Sequence, residues 1–95
     1  MHIDHQGTLD IFNGDETAAA RRTLPVDLHG KAGRLLDRIN AAVKPTDLST
    51  PRGNRLEKLG GKREGEWSVR INDQYRITFA WEDAQAIRVQ IEDYH

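Results

Sequence analysis

Glu66-Trp67-Ser68-Val69-Arg70-Ile71-Asn72-Asp73-Gln74-Tyr75-Arg76-Ile77-Thr78-Phe79-Ala80-Trp81 is the stretch on which the reading of the whole sequence turns. Trp67, Val69 and Ile71 alternate with Glu66, Ser68 and Arg70; after a polar break, Tyr75, Ile77, Phe79 and Trp81 alternate with Arg76, Thr78 and Ala80. Successive side chains of a strand point to opposite faces, so each run buries one apolar row and holds one polar row on the other side. Asn72-Asp73-Gln74 tolerates turn geometry, although no glycine fixes the turn type. Beyond a second turn at Glu82-Asp83-Ala84, Ile87, Val89 and Ile91 alternate with Arg88, Gln90 and Glu92. Antiparallel strands in succession are expected, with Arg55-Leu56-Glu57-Lys58-Leu59 as the first strand of the sheet.

Upstream the period changes. Leu28, Ala32, Leu35, Leu36, Ile39 and Val43 recur at helical spacing and form an amphipathic stripe. Leu24-Pro25 marks the expected start of this main helix, because proline is tolerated in a first turn and Asp27 suits the positive end of the dipole. Gly30 and Gly33 weaken the helix by about 1 kcal/mol each unless close packing needs the missing side chains. Thr8 to Phe12 reads as a short helix stopped by Asn13-Gly14. Met1 to His5 reads as a short edge strand, and Asp15 to Arg22 as a helical turn or mobile connector. Pro45, Pro51 and Gly53 make Lys44 to Asn54 a connection between the helical half and the sheet. Gly60 to Gly65 reads as a flexible basic loop; it lacks the Walker spacing and following helix of a phosphate cradle.

Ninety-five residues fit one domain with a modest core. With 14 basic and 15 acidic residues, bulk charge favours no partner, and local distribution must carry that question. The absence of cysteine removes disulfides, thiolate catalysis and thiolate metal sites together. His2 and His5 lack the carboxylate cluster that a metal site would add, so they read as surface histidines. The polar start is unlike a signal peptide, and no apolar run approaches the ~20 residues that span a bilayer. A cytoplasmic protein without a membrane partner is expected.

These elements make an α+β domain with helices on one sheet face and polar side chains on the other. Arg70, Arg76, Thr78, Arg88 and Gln90 lie in the polar row, with Lys62 and Arg63 on the neighbouring loop. Several arginines on a rigid platform suit phosphodiester backbones, because a guanidinium binds phosphate oxygens in pairs. A solvated sheet face with ion pairs to Glu66 and Glu92 fits the same pattern, and the pattern alone does not choose. Lys31, Arg34 and Arg38 share the outer face of the main helix, where the plain reading is a solvated surface. Asp93-Tyr94-His95 adds an ionisable trio after the last strand: an imidazole to carry a proton, a phenol to stack or hydrogen-bond, and a carboxylate to orient.

Pro51-Arg52-Gly53-Asn54-Arg55-Leu56-Glu57, the run from Gly65 to Ile77, and Glu92-Asp93-Tyr94-His95 together resemble the HigB-type branch of the RelE-like toxins. The resemblance covers most of the chain, including Phe12-Asn13-Gly14 and Leu24-Pro25. It implies a RelE-like α+β fold, with N-terminal helices packed on one face of a small, mainly antiparallel sheet, in a single domain over residues 1–95. It also implies a type II toxin: a ribosome-dependent endoribonuclease that cuts mRNA in the decoding site and inhibits translation. A HigA-type helix-turn-helix antitoxin would neutralise it, and operator DNA would be met only through the toxin–antitoxin complex. No cofactor and no metal are implied.

Carried over by position, Arg76 matches the family's Asn-x-x-Arg-Ile arginine, and Asp93, Tyr94 and His95 match its terminal Asp-Tyr-His. The resemblance gives Arg76 the phosphorane charge, His95 a proton, Tyr94 the substrate's position, and Asp93 the orientation of a neighbour or of the site loop. Lys58, Lys62, Arg63 and Arg70 would guide mRNA or ribosomal RNA by charge. Some members place histidine and lysine where this chain has Glu57 and Gly60; either Lys58 or Lys62 replaces the charge, or Glu57 acts as a base. Two other classes compete: a member that binds ribosome or antitoxin without efficient cleavage, and an unrelated sheet that binds single-stranded RNA.

Overall fold

Asn72 takes the part that a glycine would otherwise play. Its side-chain oxygen accepts from the Gln74 and Tyr75 amides at 2.9 and 2.8 Å, which closes the turn between the two decisive runs. In this computed structural model, which describes residues 1–94, those runs are β2 (Glu66–Arg70) and β3 (Tyr75–Glu82). A second turn, with Asp83 and Ala84 both at positive φ, leads into β4 (Gln85–Asp93). Positive φ at both central residues matches the strand twist, as tight hairpins require. With β1 (Glu57–Lys58) the strands form a four-stranded antiparallel sheet in the order β1-β2-β3-β4.

The register pairs Trp67 with Phe79, Val69 with Ile77, and Ile77 with Ile91, so one face is apolar across β2, β3 and β4. Three helices cover it. α1 (Gln6–Asn13) starts at His5, whose ring nitrogen accepts from the Thr8 amide, and stops at Gly14 with φ 77°. α2 (Ala18–Thr23) is capped by Thr17, which accepts from the Ala20 amide at 3.0 Å and donates to Asp10 at 2.6 Å. A Cβ on Gly7 would lie 1.9 Å from the Thr23 hydroxyl, so only glycine lets α1 and α2 approach this closely. α3 (His29–Ala41) sends Ala32, Leu35, Leu36 and Ile39 into the core beside Val69, Ile71, Ile77, Phe79, Val89 and Ile91. Burying a Leu or Ile side chain contributes about 1.5–3 kcal/mol, so this layer dominates stability.

Several boundaries differ from the sequence reading. α3 begins at His29 rather than at Leu24-Pro25, because the residue before a proline is driven out of helical geometry and Leu24 is extended at φ −156°, ψ 140°. Leu24 is instead a buried anchor, and a short turn, Val26–Leu28, intervenes. The stripe does not reach Val43, which is 77% exposed. Gly30 and Gly33 meet nothing closer than 3.5 Å, so close packing does not account for either. Residues 15–22 are helix over their second half rather than a mobile connector. Residues 55–59 contribute only two strand residues, because Arg55 takes a left-handed conformation, φ 45°. Arg88, at φ 51°, forms a bulge opposite Phe79; it turns Ile87 out of the apolar row and brings Ala86 in.

The outer edge of β4 is covered. The His2 amide donates to the Ala86 carbonyl at 2.9 Å, the Val89 amide to the His2 carbonyl at 3.2 Å, and the Ile91 amide to the Thr8 hydroxyl oxygen at 3.0 Å. Met1 to His5 thus lies along the edge without forming the strand expected of it. Among the described residues, no helix is long and apolar enough to cross a membrane.

Candidate active site

The polar face is not an open platform. Ser68 and Thr78, opposite each other in the register, are 0% and 1% exposed, and Arg76 is 8% exposed. What covers the centre is the segment between β1 and β2. Its turn, Gly61–Arg63, carries the Arg63 guanidinium across the sheet to Glu66 at 2.9 Å and Glu92 at 2.6 Å. The Thr78 hydroxyl donates to the same Glu92 carboxylate. Hydrogen bonding from Arg63 holds the Glu92 carboxyl below the usual carboxylate range, against the opposing effect of burial; Glu92 and Glu66 in turn raise Arg63. Residues 60–65, expected as a flexible loop, are therefore pinned at Arg63.

At the other end of this face the register places Arg76 between Arg70 and Glu92. Arg76 nonetheless leaves Glu92 to Arg63. Its guanidinium donates to the Arg55 carbonyl at 2.8 Å and stands 3.6 Å from the Glu57 carboxylate, a loose ion pair. The Tyr94 ring lies 5.2 Å from it, within cation–π range. Its Nε is buried and, among the described residues, has no partner. A buried donor without an acceptor costs about 1–3 kcal/mol. The strong bends that hold these groups together come from Arg55, whose left-handed backbone aims its carbonyl at Arg76.

The remaining expected site residues are distributed unevenly. Tyr94 is brought to Arg76, its amide donating to the Gln74 carbonyl at 2.5 Å. Asp93 pairs with Tyr75 and accepts from Gln74 at 3.1 Å; strand alternation sets it on the opposite side from Glu92. His95 lies outside the described residues. Arg70 pairs with fully exposed Asp73 at 2.5 Å and lowers the Asp73 carboxyl. Lys58 stands over the Trp67 ring at 5.2 Å, on the side of β1 away from Arg76, because its register partner is Trp67 while that of Glu57 is Ser68. Lys62 is exposed on the pinned turn. Arg88, expected in the polar row, is exposed at the bulge.

Glu92 and Glu57 are the polar-face groups that sequence pattern underweights. Glu92 was visible only as a candidate ion-pair partner, and Glu57 only as a departure from a family pattern; neither pattern says which arginine each one meets. Among the described residues, no group of three or more His, Asp or Glu is placed to hold a metal.

Over residues 2–95 the chain matches the family model described as the RelE-like toxin of type II toxin-antitoxin system HigB. It is 36% identical over 73 residues to toxin HigB-1 of Vibrio cholerae serotype O1, covering 77% of each chain. It is 36% identical over 66 residues to endoribonuclease HigB of Proteus vulgaris, covering 63% of this chain and 72% of that one.

Proposed function

Because the chain belongs to the HigB family of RelE-like toxins of type II toxin–antitoxin systems, a membership that brings an antitoxin partner with it, we propose that it is a ribosome-dependent endoribonuclease that cleaves mRNA and stops translation. The observation that carries this reading is Arg76: buried on a rigid strand, with an Nε that has no partner among the described residues, a loose carboxylate contact and an aromatic ring beside it.

In the proposed reaction the mRNA's own 2′-hydroxyl oxygen attacks the adjacent phosphorus. A P–O bond forms, the 2′-hydroxyl proton leaves, and the bond to the 5′-oxygen breaks as that oxygen takes up a proton. The nucleophile is internal to the substrate, so no metal-bound water is needed. In this reading Arg76 meets the charge that builds on the phosphorane, the interaction in which preorganised donors are most effective. Displacing Glu57 at 3.6 Å costs little compared with breaking a close pair, so phosphate can take its place. Tyr94, over the Arg76 guanidinium, positions the substrate base or sugar; Asp93 orients its neighbours; His95 carries a proton. Lys62, Arg70 and, from the other side of β1, Lys58 supply positive charge toward RNA. Arg63 is already matched by two carboxylates, so its share is to hold the turn that presents Lys62.

The partners proposed are a bacterial ribosome carrying mRNA and a HigA-type helix-turn-helix antitoxin, with operator DNA reached only through the toxin–antitoxin complex. The proposed setting is the cytoplasm, and the unit is one toxin domain over residues 1–95. The test is cleavage of mRNA on reconstituted bacterial ribosomes by the wild type, Arg76→Ala and His95→Ala, with naked mRNA as control. Cuts that need the ribosome and vanish in both variants are expected. Intact mRNA with folded wild-type protein would overturn the nuclease reading and leave a binding module.

A further inference from the structure

Arg76 starts on β3, and its guanidinium ends on the far side of β2, at the Arg55 carbonyl and the Glu57 carboxylate of β1. Neighbouring strands are about 4.8 Å apart, so this side chain crosses the whole width of β2. On that face β2 presents Ser68 and Arg70. The register sets Ser68 opposite both Glu57 and Thr78, and Arg70 opposite Arg76. The arginine therefore passes over β2 beside these two residues.

The two are not equivalent. Arg70 is itself a cation and turns to Asp73. Ser68 is fully buried, and among the described residues its hydroxyl oxygen has no hydrogen-bond partner. The same holds for the buried Arg76 Nε, and among the described residues these are the two buried side-chain polar atoms left in that state. They belong to diagonal neighbours on one sheet face, a separation that a long side chain spans. One is a donor only, and the other can accept. Thr78, the other hydroxyl of the row, is already committed to Glu92.

Because Nε is buried, a phosphate arriving from solvent meets the guanidinium at its Nη end, and the Nε–H has to be satisfied from the sheet side. We propose that Ser68 is a positioning residue for Arg76: as phosphate displaces Glu57, the guanidinium turns, its Nε–H donates to the Ser68 hydroxyl oxygen, and the fork is fixed with its Nη groups on the phosphate. The proposal rests on the ribonuclease reading above and says how its principal donor is held. A hydrogen bond from a charged donor is stronger than one between neutral groups. Here it forms only once phosphate draws the guanidinium, so it favours the reacting state over the free protein. Two unsatisfied groups are removed together in that step.

Ser68→Ala separates this role from a structural one. Removing a buried hydroxyl that has no partner should leave the melting temperature unchanged or raise it. With mRNA on ribosomes, kcat should fall about tenfold, the effect of one hydrogen bond to a charged group, while KM holds. In an Arg76→Lys background, which keeps the charge but has no Nε, adding Ser68→Ala should cost nothing further. A residue that only shapes the sheet would lower both backgrounds alike. Nitrogen-15 NMR of the Arg76 Nε–H gives a readout independent of cleavage. Saturating inorganic phosphate should slow its exchange with water in the wild type and not in Ser68→Ala. An equal response in the two proteins would overturn the role of Ser68. So would a Ser68→Ala variant that cuts as fast as an active wild type, with the nuclease reading left standing. A wild type that cuts no mRNA, yet shows the phosphate-dependent difference, would remove the nuclease reading and leave Ser68 as the group that orients Arg76 toward an anion.

Discussion

Arg63 and Arg76 stand on the same polar face of one sheet and are held in opposite ways. Arg63 meets two carboxylates at 2.6 and 2.9 Å and is itself more than a third exposed. Arg76 is almost fully buried, yet among the described residues it has one carbonyl, one carboxylate at 3.6 Å, and no partner for its Nε. A matched charge has nothing more to gain from a ligand; an unmatched one does. The difference separates an arginine that fastens the fold from the one proposed above to meet a phosphate, although both appear in the sequence simply as basic residues beside a strand.

The sharpest way to break that distinction is Arg76→Ala. Ribosome-dependent cleavage should fall by roughly 10²–10³-fold, the cost of losing one preorganised donor to the transition state. Far-UV circular dichroism should be unchanged; a cleaving Arg76→Ala variant would show that the unpartnered arginine is structural after all.

Arg63→Ala should do the reverse. Losing charge-assisted hydrogen bonds to Glu66 and Glu92 is expected to cost about 1–3 kcal/mol of stability by denaturant unfolding, with kcat within a few-fold of wild type. A variant of unchanged stability that cannot cleave would place Arg63 among the groups that touch RNA.

The pH dependence sharpens the same end of the face. Arg63 holds the Glu92 carboxyl below its ordinary range, so the stabilisation is complete above that range and is lost as pH falls through the depressed folded value. The stability gap between wild type and Glu92→Gln should therefore be full above the ordinary carboxylate range and close as pH falls through the depressed folded value below it. A gap that stays constant would mean the pair contributes through shape rather than charge.

The smallest effect is expected at the rim. Asp73→Asn removes the fully exposed partner of half-buried Arg70, and thermal melting should barely register it.

Much of this architecture was legible. The alternation from Trp67 to Trp81 specifies two paired strands and which row turns inward, because a period of two has one meaning on a half-buried surface. Two misreadings share a cause. The start of α3 and the length of β1 depend on single backbone conformations at Leu24 and Arg55, and side-chain pattern says nothing about these. The bulge at Arg88 is similar: a non-glycine residue at positive φ gives no compositional sign. The polar face held two readings, and the structure divides them between its ends, with ion pairs at Arg63 and an underpaired guanidinium at Arg76. Which carboxylate meets which arginine depends on register and on how the Gly61–Arg63 turn folds back, and both are tertiary facts.

The covered edge of β4 has a consequence for handling the protein. A bare outer strand offers free amides as a template for a neighbour's strand, a common route to fibrils. Here His2 and the Thr8 hydroxyl occupy those positions, and the opposite edge, β1, is only two residues long. Trimming residues 1–4 would take away His2 and its two bonds to the strand. That would free the Ala86 carbonyl and the Val89 amide for a neighbour's strand while Thr8 still caps Ile91, so raised association without loss of the Arg76 site is the expected outcome.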